Sequence, residues 1–311
     1  MNANQVHIVT PTFDSVALAE KFGFDSVALK MEAFQPSGSF KMRGIGALMS
    51  ALMARGNVTH FISSSGGNAG VTAALIGRQL GVKVTVFVPE TTKEHVIATI
   101  KLQKATVVVS GASWDDTNRA ALAEVANDPT AAFVHPFDDP HIWDGHASIV
   151  SELVGQTSVP DAIVLSVGGG GLLCGVIQGL QAAAPPAWGN VPVVAVETHG
   201  AASFNASLKA GQLITLEKIT TVATTLGARR VCSRALELSR EHKVVSVLVS
   251  DEEAIEGARA LATFHRVLVE PACGAAVAAL PLVREALVGV DVKRVVVIVC
   301  GGAGGRADFR F

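Results

Sequence analysis

Four times along this chain a short run of β-branched and aromatic residues ends in a turn and gives way to a longer alanine-rich stretch of helical character. HFISSS leads into NAGVTAALIGRQLG, VKVTVFVP into TTKEHVIATIKLQ, ATVVVS into SWDDTNRAALAEVA, and DAIVLSVG into GGLLCGVIQGLQAA. This is the rhythm of a parallel sheet covered on both faces, because a parallel crossover needs a connection of helical length and that helix buries a sheet face. The chain therefore reads as α/β throughout. No repeat of fixed period and no low-complexity linker breaks it, so any division into lobes has to come from how the strands group. The first compositional break is HPFDDPHIWDGH, His135 to His146, polar and carrying two prolines, and the strands on either side of it are expected in different sheets. With 311 residues, 49% of them apolar, the chain can bury a large core and is long enough for two lobes.

Several classes of function fall away at this level. Lys and Arg total 25 against 27 for Asp and Glu, and no basic run with interleaved aromatics is present, so nucleic acid is not an expected partner. The strongest apolar runs, such as RVVVIVC (Arg294 to Cys300), are too short to cross a bilayer. MNANQVHIVTPTF has neither the basic start nor the apolar block of a signal peptide, so a cytoplasmic location and no membrane partner are expected. Cys174, Cys232, Cys273 and Cys300 lie far apart with no C-x-x-C pair, which fits reduced thiols rather than a disulfide frame or a zinc knuckle.

In open α/β sheets, ligands bind outside the carboxyl ends of the strands, so the strand-to-helix turns are where chemistry is to be sought. SVGGGGLLCG, Ser166 to Gly175, follows a hydrophobic strand, and its consecutive glycines allow backbone N–H groups to close on an anion at a helix N-terminus. It reads as a phosphate cup. Leu172 stands where a dinucleotide fingerprint needs its second glycine, and no Gly-Lys pair of a Walker loop occurs. SSSGGNAG, Ser63 to Gly70, offers serine hydroxyls, backbone N–H groups and the Asn68 amide at another helix start, which suits a carboxylate or serves simply as a helix cap. In VIVCGGAGG, Cys300 ends an apolar strand, where a cysteine commonly packs as a small hydrophobe. The turn PSGSFKMRG sets Lys41 among serines and glycines with no carboxylate within four residues. An amine, a phosphate cup, a carboxylate cradle and a thiol at a strand end together suit pyridoxal phosphate, which needs an amine for its aldehyde, donors for its phosphate and a partner for its ring nitrogen.

PSGSFKMRG, SSSGGNAG, HPFDDP, SVGGGGLLCGV and EPACGAA, in that order, resemble the L-serine/L-threonine dehydratases of the tryptophan-synthase-β-like class, the fold-type II pyridoxal phosphate enzymes, and most of all the short serine dehydratases without a regulatory domain. The likeness runs from about Thr10 to Gly302. It implies two lobes, each with a mainly parallel twisted sheet flanked by helices: a large cofactor-binding domain of residues 1–39 and 136–311 with a small domain, 40–135, inserted in it. It further implies that Lys41 matches the lysine bound to the cofactor aldehyde and that Phe40 packs on the cofactor ring. Asn68 would bond the ring hydroxyl, and Gly168, Gly169, Gly170, Gly171 and Leu172 would hold the phosphate. Cys300 would face the ring nitrogen, and Ser64, Ser65, Gly66 and Asn68 would hold the substrate carboxylate. Gly168, Glu197, Ala201, Leu226 and Ala228 fall at positions that surround a monovalent cation, potassium, in similar enzymes. A homodimer is implied as well. The implied reaction is α,β-elimination from L-serine or L-threonine, giving pyruvate or 2-oxobutyrate and ammonia, with Lys41 both anchor and base. The sequence departs from the pattern at Gly304, where members often carry asparagine, and in its end at Phe311.

Competing readings remain open on the residues. A cysteine-synthase-type β-replacement enzyme shares the cofactor but usually carries Thr-Ser-Gly-Asn-Thr where this chain has SSSGGNAG. An amino-acid sensor would keep the cofactor site without turnover. A nucleotide-dependent oxidoreductase leaves Lys41 unexplained. His135, His141 and His146 near Asp138 and Asp139 fit no common zinc spacing, and the segment reads as a lobe connector. Asp251 to Arg266 reads as a charged amphipathic helix, and Glu270 as catalytic or as a helix cap. Gly66 is expected to leave its loop loosely ordered, so that Gly66→Ala would raise kcat/KM if the residue has a negative φ.

Overall fold

The computed structural model describes residues 6–183 and 185–302. Its strands are β1 (Thr12–Asp14), β2 (Ser26–Lys30), β3 (His60–Ser63), β4 (Lys83–Val88), β5 (Thr106–Val109), β6 (Ala131–Val134), β7 (Ala162–Ser166), β8 (Val193–Thr198), β9 (Val244–Val249) and β10 (Arg294–Ile298). The first six helices are α1 (Val16–Phe22), α2 (Lys41–Met53), α3 (Asn68–Leu80), α4 (Glu94–Leu102), α5 (Trp114–Asn127) and α6 (Pro140–Gln156). The rest are α7 (Gly171–Ala182), α8 (Ser203–Ala210), α9 (Ser233–Glu241), α10 (Asp251–His265), α11 (Pro271–Ala278) and α12 (Val283–Ala286). The chain forms two compact units: residues up to Ile8 with Gln35–Gly145, and Val9–Phe34 with the residues from His146 on.

The first unit is built on a four-stranded sheet in the order β5-β4-β3-β6, with every pairing parallel. Its strands alternate across the sheet. Phe61 of β3 joins one core with Met42, Ile45 and Met49 of α2 and Ala73 and Ile76 of α3, while Ile62 packs on the other face with Phe87 and Ala121. In the same registers Ser63 is opposite Val134 of β6 and Val86 of β4. The loops that leave the carboxyl ends of these three strands therefore emerge side by side.

The second unit is a six-stranded sheet in the order β1-β2-β10-β7-β8-β9, parallel except for β1, which runs antiparallel to β2. All five residues of β7 are buried, as a central strand covered on both faces requires. β6 and β7, which flank the polar break at His135 to His146, lie in different sheets, and the second half of that break is the opening of α6, with Pro140 at its first position. The second unit also buries a lysine that the strand pattern concealed. Lys30 Nζ donates to Glu152 Oε2 at 2.5 Å, to Gln156 Oε1 at 2.8 Å and to the Thr10 carbonyl at 2.8 Å, so its charge is paired and its hydrogens are used.

Helix α10 begins on a capping box in which Ser250 and Glu253 satisfy each other's backbone, and it ends with Arg266 in the left-handed region at φ 60. Its inner face packs on α11 through glycines. A Cβ at Gly257 would overlap the Gly274 carbonyl, and one at Gly274 would overlap the Ala254 carbonyl and come within 2.9 Å of Ala258 Cβ. Backbone cannot yield as a side-chain tip can, so Gly274→Ala is expected to cost about 3 kcal/mol, the upper range for overpacking a core. Denaturant unfolding of both proteins checks this, since a variant with an unshifted midpoint would mean the helices separate freely.

Candidate active site

In the first unit, Lys41 is the first residue of α2, directly after Phe40, and its ammonium lies 5.1 Å from the Phe40 ring centroid. Lys41 Nζ donates to the Pro136 carbonyl at 2.5 Å. Pro136 belongs to the loop that leaves β6, so the lysine reaches the carboxyl edge of the sheet. Next to it in the loop, His135 Nδ1 accepts from the N–H groups of Phe137 (3.2 Å) and Asp138 (2.8 Å), which leaves the neutral ring's proton on Nε2. Burial, then the Lys41 charge, pull the His135 pKa down to about 4 against an opposing pull from Asp139. The ring is neutral at physiological pH. His141 bonds to Asp139 through its backbone N–H and its Nδ1, so these histidines are engaged in shaping their own turns.

The SSSGGNAG turn leaves β3 beside that loop. Helix α3 starts at Asn68 behind Gly67, and no side chain caps it, so its first-turn N–H groups face outward at the positive end of the helix dipole. The turn is tight. A Cβ at Gly70 would overlap the Ser65 carbonyl, so only glycine allows the loop to fold back over the helix. Ser64, fully buried, donates its hydroxyl to Asn118 Oδ1 of α5 at 2.8 Å, and Ser65 Oγ accepts from Gly67 N–H at 3.3 Å. The Ser64 side chain thus ties the loop to α5. Gly66 has no left-handed φ, which meets the backbone condition for alanine. The space is taken, however: a Cβ at Gly66 would overlap Thr92 Oγ1 and lie 3.1 Å from Thr92 Cγ2. An added Cβ would have to displace the Thr92 side chain, so the expected gain from Gly66→Ala no longer follows.

In the second unit, the glycine turn follows β7 and α7 opens at Gly171 behind Gly170, again with no side-chain cap. Gly170 sits at φ 91, a conformation that side chains resist, and a Cβ at Gly168 would press on the Leu226 backbone at 3.2 Å. The turn is pinned by Cys232 N–H donating to the Gly169 carbonyl at 3.0 Å, while Val167 N–H donates to Val196 of β8 at 2.7 Å. That last bond ties the start of the glycine turn to the β8 residue just before Glu197. Glu197 is fully buried and accepts from the N–H groups of Phe204 (2.8 Å) and Asn205 (2.7 Å) at the start of α8. Burial nevertheless pushes its pKa up to about 7. Ala201 is buried in the turn after β8, and Ala228 N–H donates to the Leu226 carbonyl at 2.8 Å.

Cys300 follows β10, the strand beside β7. It is 6% exposed, and a hydrogen bond with Cys273, burial and the charges of Cys273 and Glu270 hold its thiol well above the usual cysteine range. It is a neutral thiol at physiological pH. Cys273 Sγ accepts from Gly301 N–H at 3.4 Å. Glu270 does not cap α11 with its side chain; its Oε1 accepts from Thr225 Oγ1 at 2.6 Å. Its carboxyl group lies against Gly302, at φ 129, where any Cβ would overlap it. Gly304 and Phe311 lie outside the described residues. Sequence reading missed Thr92, Asn118, Thr225 and Cys273, single residues whose importance comes only from where the sheets bring them.

The first unit holds an amine at a helix start, and the second holds a side-chain-free turn at an uncapped helix and a neutral thiol, each a chemistry that pyridoxal phosphate uses. The family model described as pyridoxal-phosphate dependent enzyme matches residues 3–301, and the chain belongs to that family. The L-serine dehydratase/L-threonine deaminase of Homo sapiens is 47% identical over 310 residues, covering 97% of this chain and 93% of that protein. The crystal structure of a fungal L-serine ammonia-lyase from Rhizomucor miehei superposes with a TM-score of 0.88 at 40% identity, covering 96% of this chain and 95% of that one. A serine racemase from Dictyostelium discoideum superposes with a TM-score of 0.85 at 27% identity, covering 97% and 94%. One architecture thus carries more than one named reaction, and the reaction has to be argued from side chains.

Proposed function

We propose that this chain is a pyridoxal-phosphate-dependent L-serine and L-threonine dehydratase, converting L-serine to pyruvate and ammonia and L-threonine to 2-oxobutyrate and ammonia. The observation that carries it is Lys41, held at the carboxyl edge of its sheet in the same unit as an uncapped, glycine-built helix start. Similarity to a protein named L-serine dehydratase/L-threonine deaminase supports the substrate class.

When bound, pyridoxal phosphate supplies an aldehyde that takes the substrate amine and a ring that accepts the electron pair left at Cα. Lys41 would hold the aldehyde in the resting enzyme. Freed when the substrate amine takes its place, Lys41 Nζ would take the Cα proton and pass it to the departing β-hydroxyl, which would leave as water; hydrolysis of the resulting enamine would then give the keto acid and ammonia. The backbone of Ser64, Ser65 and Gly66 and the side chain and N–H of Asn68 would fix the substrate carboxylate, orienting the Cα–H bond for removal. Phe40 would pack on the ring and Asn68 bond its hydroxyl. Gly168 to Leu172 would hold the phosphate through backbone N–H groups. Cys300, neutral, would face the ring nitrogen without keeping it charged, which favours rapid elimination over reprotonation at Cα.

Glu197 supports a further role for the second unit. A buried carboxylate whose burial disfavours its charge gains from a cation, and we assign a potassium ion to Glu197 and the backbone carbonyls of Gly168, Ala201, Leu226 and Ala228. No helix among the described residues is long and apolar enough to cross a membrane. The assembly we propose is a homodimer, with a second copy covering Phe13 and Phe34, whose rings pack 6.3 Å apart and which are 37% and 44% exposed.

The test is purified holoenzyme with L-serine in potassium or tetramethylammonium buffer. Pyruvate and ammonia are expected in equal amounts, with roughly tenfold lower turnover when the large cation replaces potassium, a loss of about 1.4 kcal/mol in transition-state stabilisation. Glu197→Gln should erase the difference between buffers. A yellow protein that releases no pyruvate is a sensor, and one that consumes O-acetylserine and sulfide instead is a β-replacement enzyme.

A further inference from the structure

The hydroxyl of Thr92 is a buried polar group that the reading above does not use. Thr92 lies in the loop between β4 and α4, with its backbone N–H bonded to the Pro89 carbonyl at 3.0 Å. Its Oγ1 is shielded from solvent and has no hydrogen-bond partner among the described residues. It occupies the place where a side chain on Gly66 would begin, with Thr92 Cβ 3.3 Å from that position. β3 and β4 are in register at Ser63 and Val86, so the β4 loop is held beside the β3 loop by the sheet itself. A buried hydroxyl with no partner costs about 1–3 kcal/mol, and the cost is recovered when a ligand supplies the partner.

We propose that Thr92 is a substrate-positioning residue: its γ-hydroxyl donates to the carboxylate of the amino acid held by the Ser64–Asn68 loop, through the space that Gly66 leaves by having no side chain. The inference rests on the reading that this loop holds the substrate carboxylate. Three features support it. The Ser64 hydroxyl is spent as a donor on Asn118 and Ser65 Oγ accepts from Gly67 N–H, so Thr92 Oγ1 brings the loop a hydroxyl that no group among the described residues engages. The loop runs into the uncapped start of α3, whose positive end suits an anion, and a charge-assisted hydroxyl alongside adds to that. Gly66 is the one position in the turn where a larger residue would have to push this hydroxyl aside.

The test compares Thr92→Val, which exchanges the hydroxyl for a methyl, with Thr92→Ser, which keeps the hydroxyl and drops the methyl. Each is measured as holoenzyme for kcat and KM with L-serine and, by calorimetry, for binding of glycine, which has the carboxylate and cannot eliminate. Thr92→Val is expected to raise KM and the glycine Kd together by about tenfold, which is about 1.4 kcal/mol, with kcat within about threefold of wild type and the melting temperature of the substrate-free holoenzyme not lowered. Thr92→Ser should stay within about threefold of wild type on both affinities. Equal affinities in wild type and Thr92→Val overturn the proposal. So does a Thr92→Ser variant as weak as Thr92→Val, because then the methyl packing matters and the hydroxyl does not. A wild-type protein that binds glycine but releases no pyruvate refutes the dehydratase reading alone, and the glycine series still decides Thr92. A wild-type holoenzyme that does not bind glycine overturns the carboxylate loop and Thr92 with it.

Discussion

Lys41→Ala is expected to abolish pyruvate release from L-serine, lowering turnover by at least about ten-thousand-fold, with the fold intact. In the proposed reading one side chain would do two jobs, to hold the cofactor aldehyde and to take the Cα proton, and a positioned proton acceptor alone contributes about 10² to 10⁴ in rate. The structural cost is small by comparison. Lys41 Nζ donates to the Pro136 carbonyl, a bond whose loss costs about 1 kcal/mol, while the buried face of α2, Met42, Ile45, Leu48 and Met49, is untouched. Lys41→Arg separates the amine from its charge: a guanidinium keeps the positive charge but stays protonated, so it is expected to be as inactive as alanine. Thermal melts and pyruvate assays on the three proteins check both statements. Borohydride-treated wild type, digested and mapped by mass spectrometry, should carry the pyridoxyl group on Lys41. Label on another lysine, or a Lys41→Ala variant within tenfold of wild type, would remove the central assignment.

What the chain disclosed before folding was local in character. The run HFISSSGGNAGVTAALIG shows a strand, a turn and a helix because each part has its own short-range cause: β-branched and aromatic residues, glycines, then alanines at helical spacing. The glycine turn after β7 was legible for the same reason, since a side-chain-free loop before a helix has few other physical uses. Residues that act through sheet register were not legible. Nothing near Thr92 in the sequence distinguishes it from Thr91; only the parallel pairing of β3 with β4 sets it against Gly66. Asn118 is one polar residue on a helix, and only the fold brings it to the Ser64 hydroxyl, which donates to it. Lys30, placed in an apolar strand, gains its meaning from Glu152 and Gln156 far along the chain. The charged stretch from Asp251 does form a helix, but its decisive contact is the bare backbone of Gly257, which no pattern of charges discloses.

Cys300→Asp should lower L-serine dehydration by roughly a hundredfold, about the loss on removing one preorganised polar group from an active site, and should add D-serine or a transamination product to the pyruvate. The wild-type thiol stays neutral because a bond with Cys273, burial and the neighbouring Cys273 and Glu270 charges all oppose a thiolate. If Cys300 faces the ring nitrogen as proposed, a neutral group there would not hold a proton on it, and negative charge developed at Cα would be released quickly by loss of the β-hydroxyl. An aspartate would act oppositely. Its carboxylate would stabilise a protonated ring nitrogen, lengthen the lifetime of that charge and give Cα time to regain a proton on either face. Glu270 opposes this, since two nearby carboxylates resist ionising together, yet a cationic ring nitrogen would offset that repulsion. Cys300→Ser keeps a small neutral group and is expected to leave the product ratio unchanged, which distinguishes charge from packing. Chiral chromatography of the reaction mixture, alongside thermal melts, decides the matter. If Cys300→Asp folds and gives the wild-type ratio of products, Cys300 is a core residue at the end of β10 and elimination is selected by the groups that hold the substrate instead.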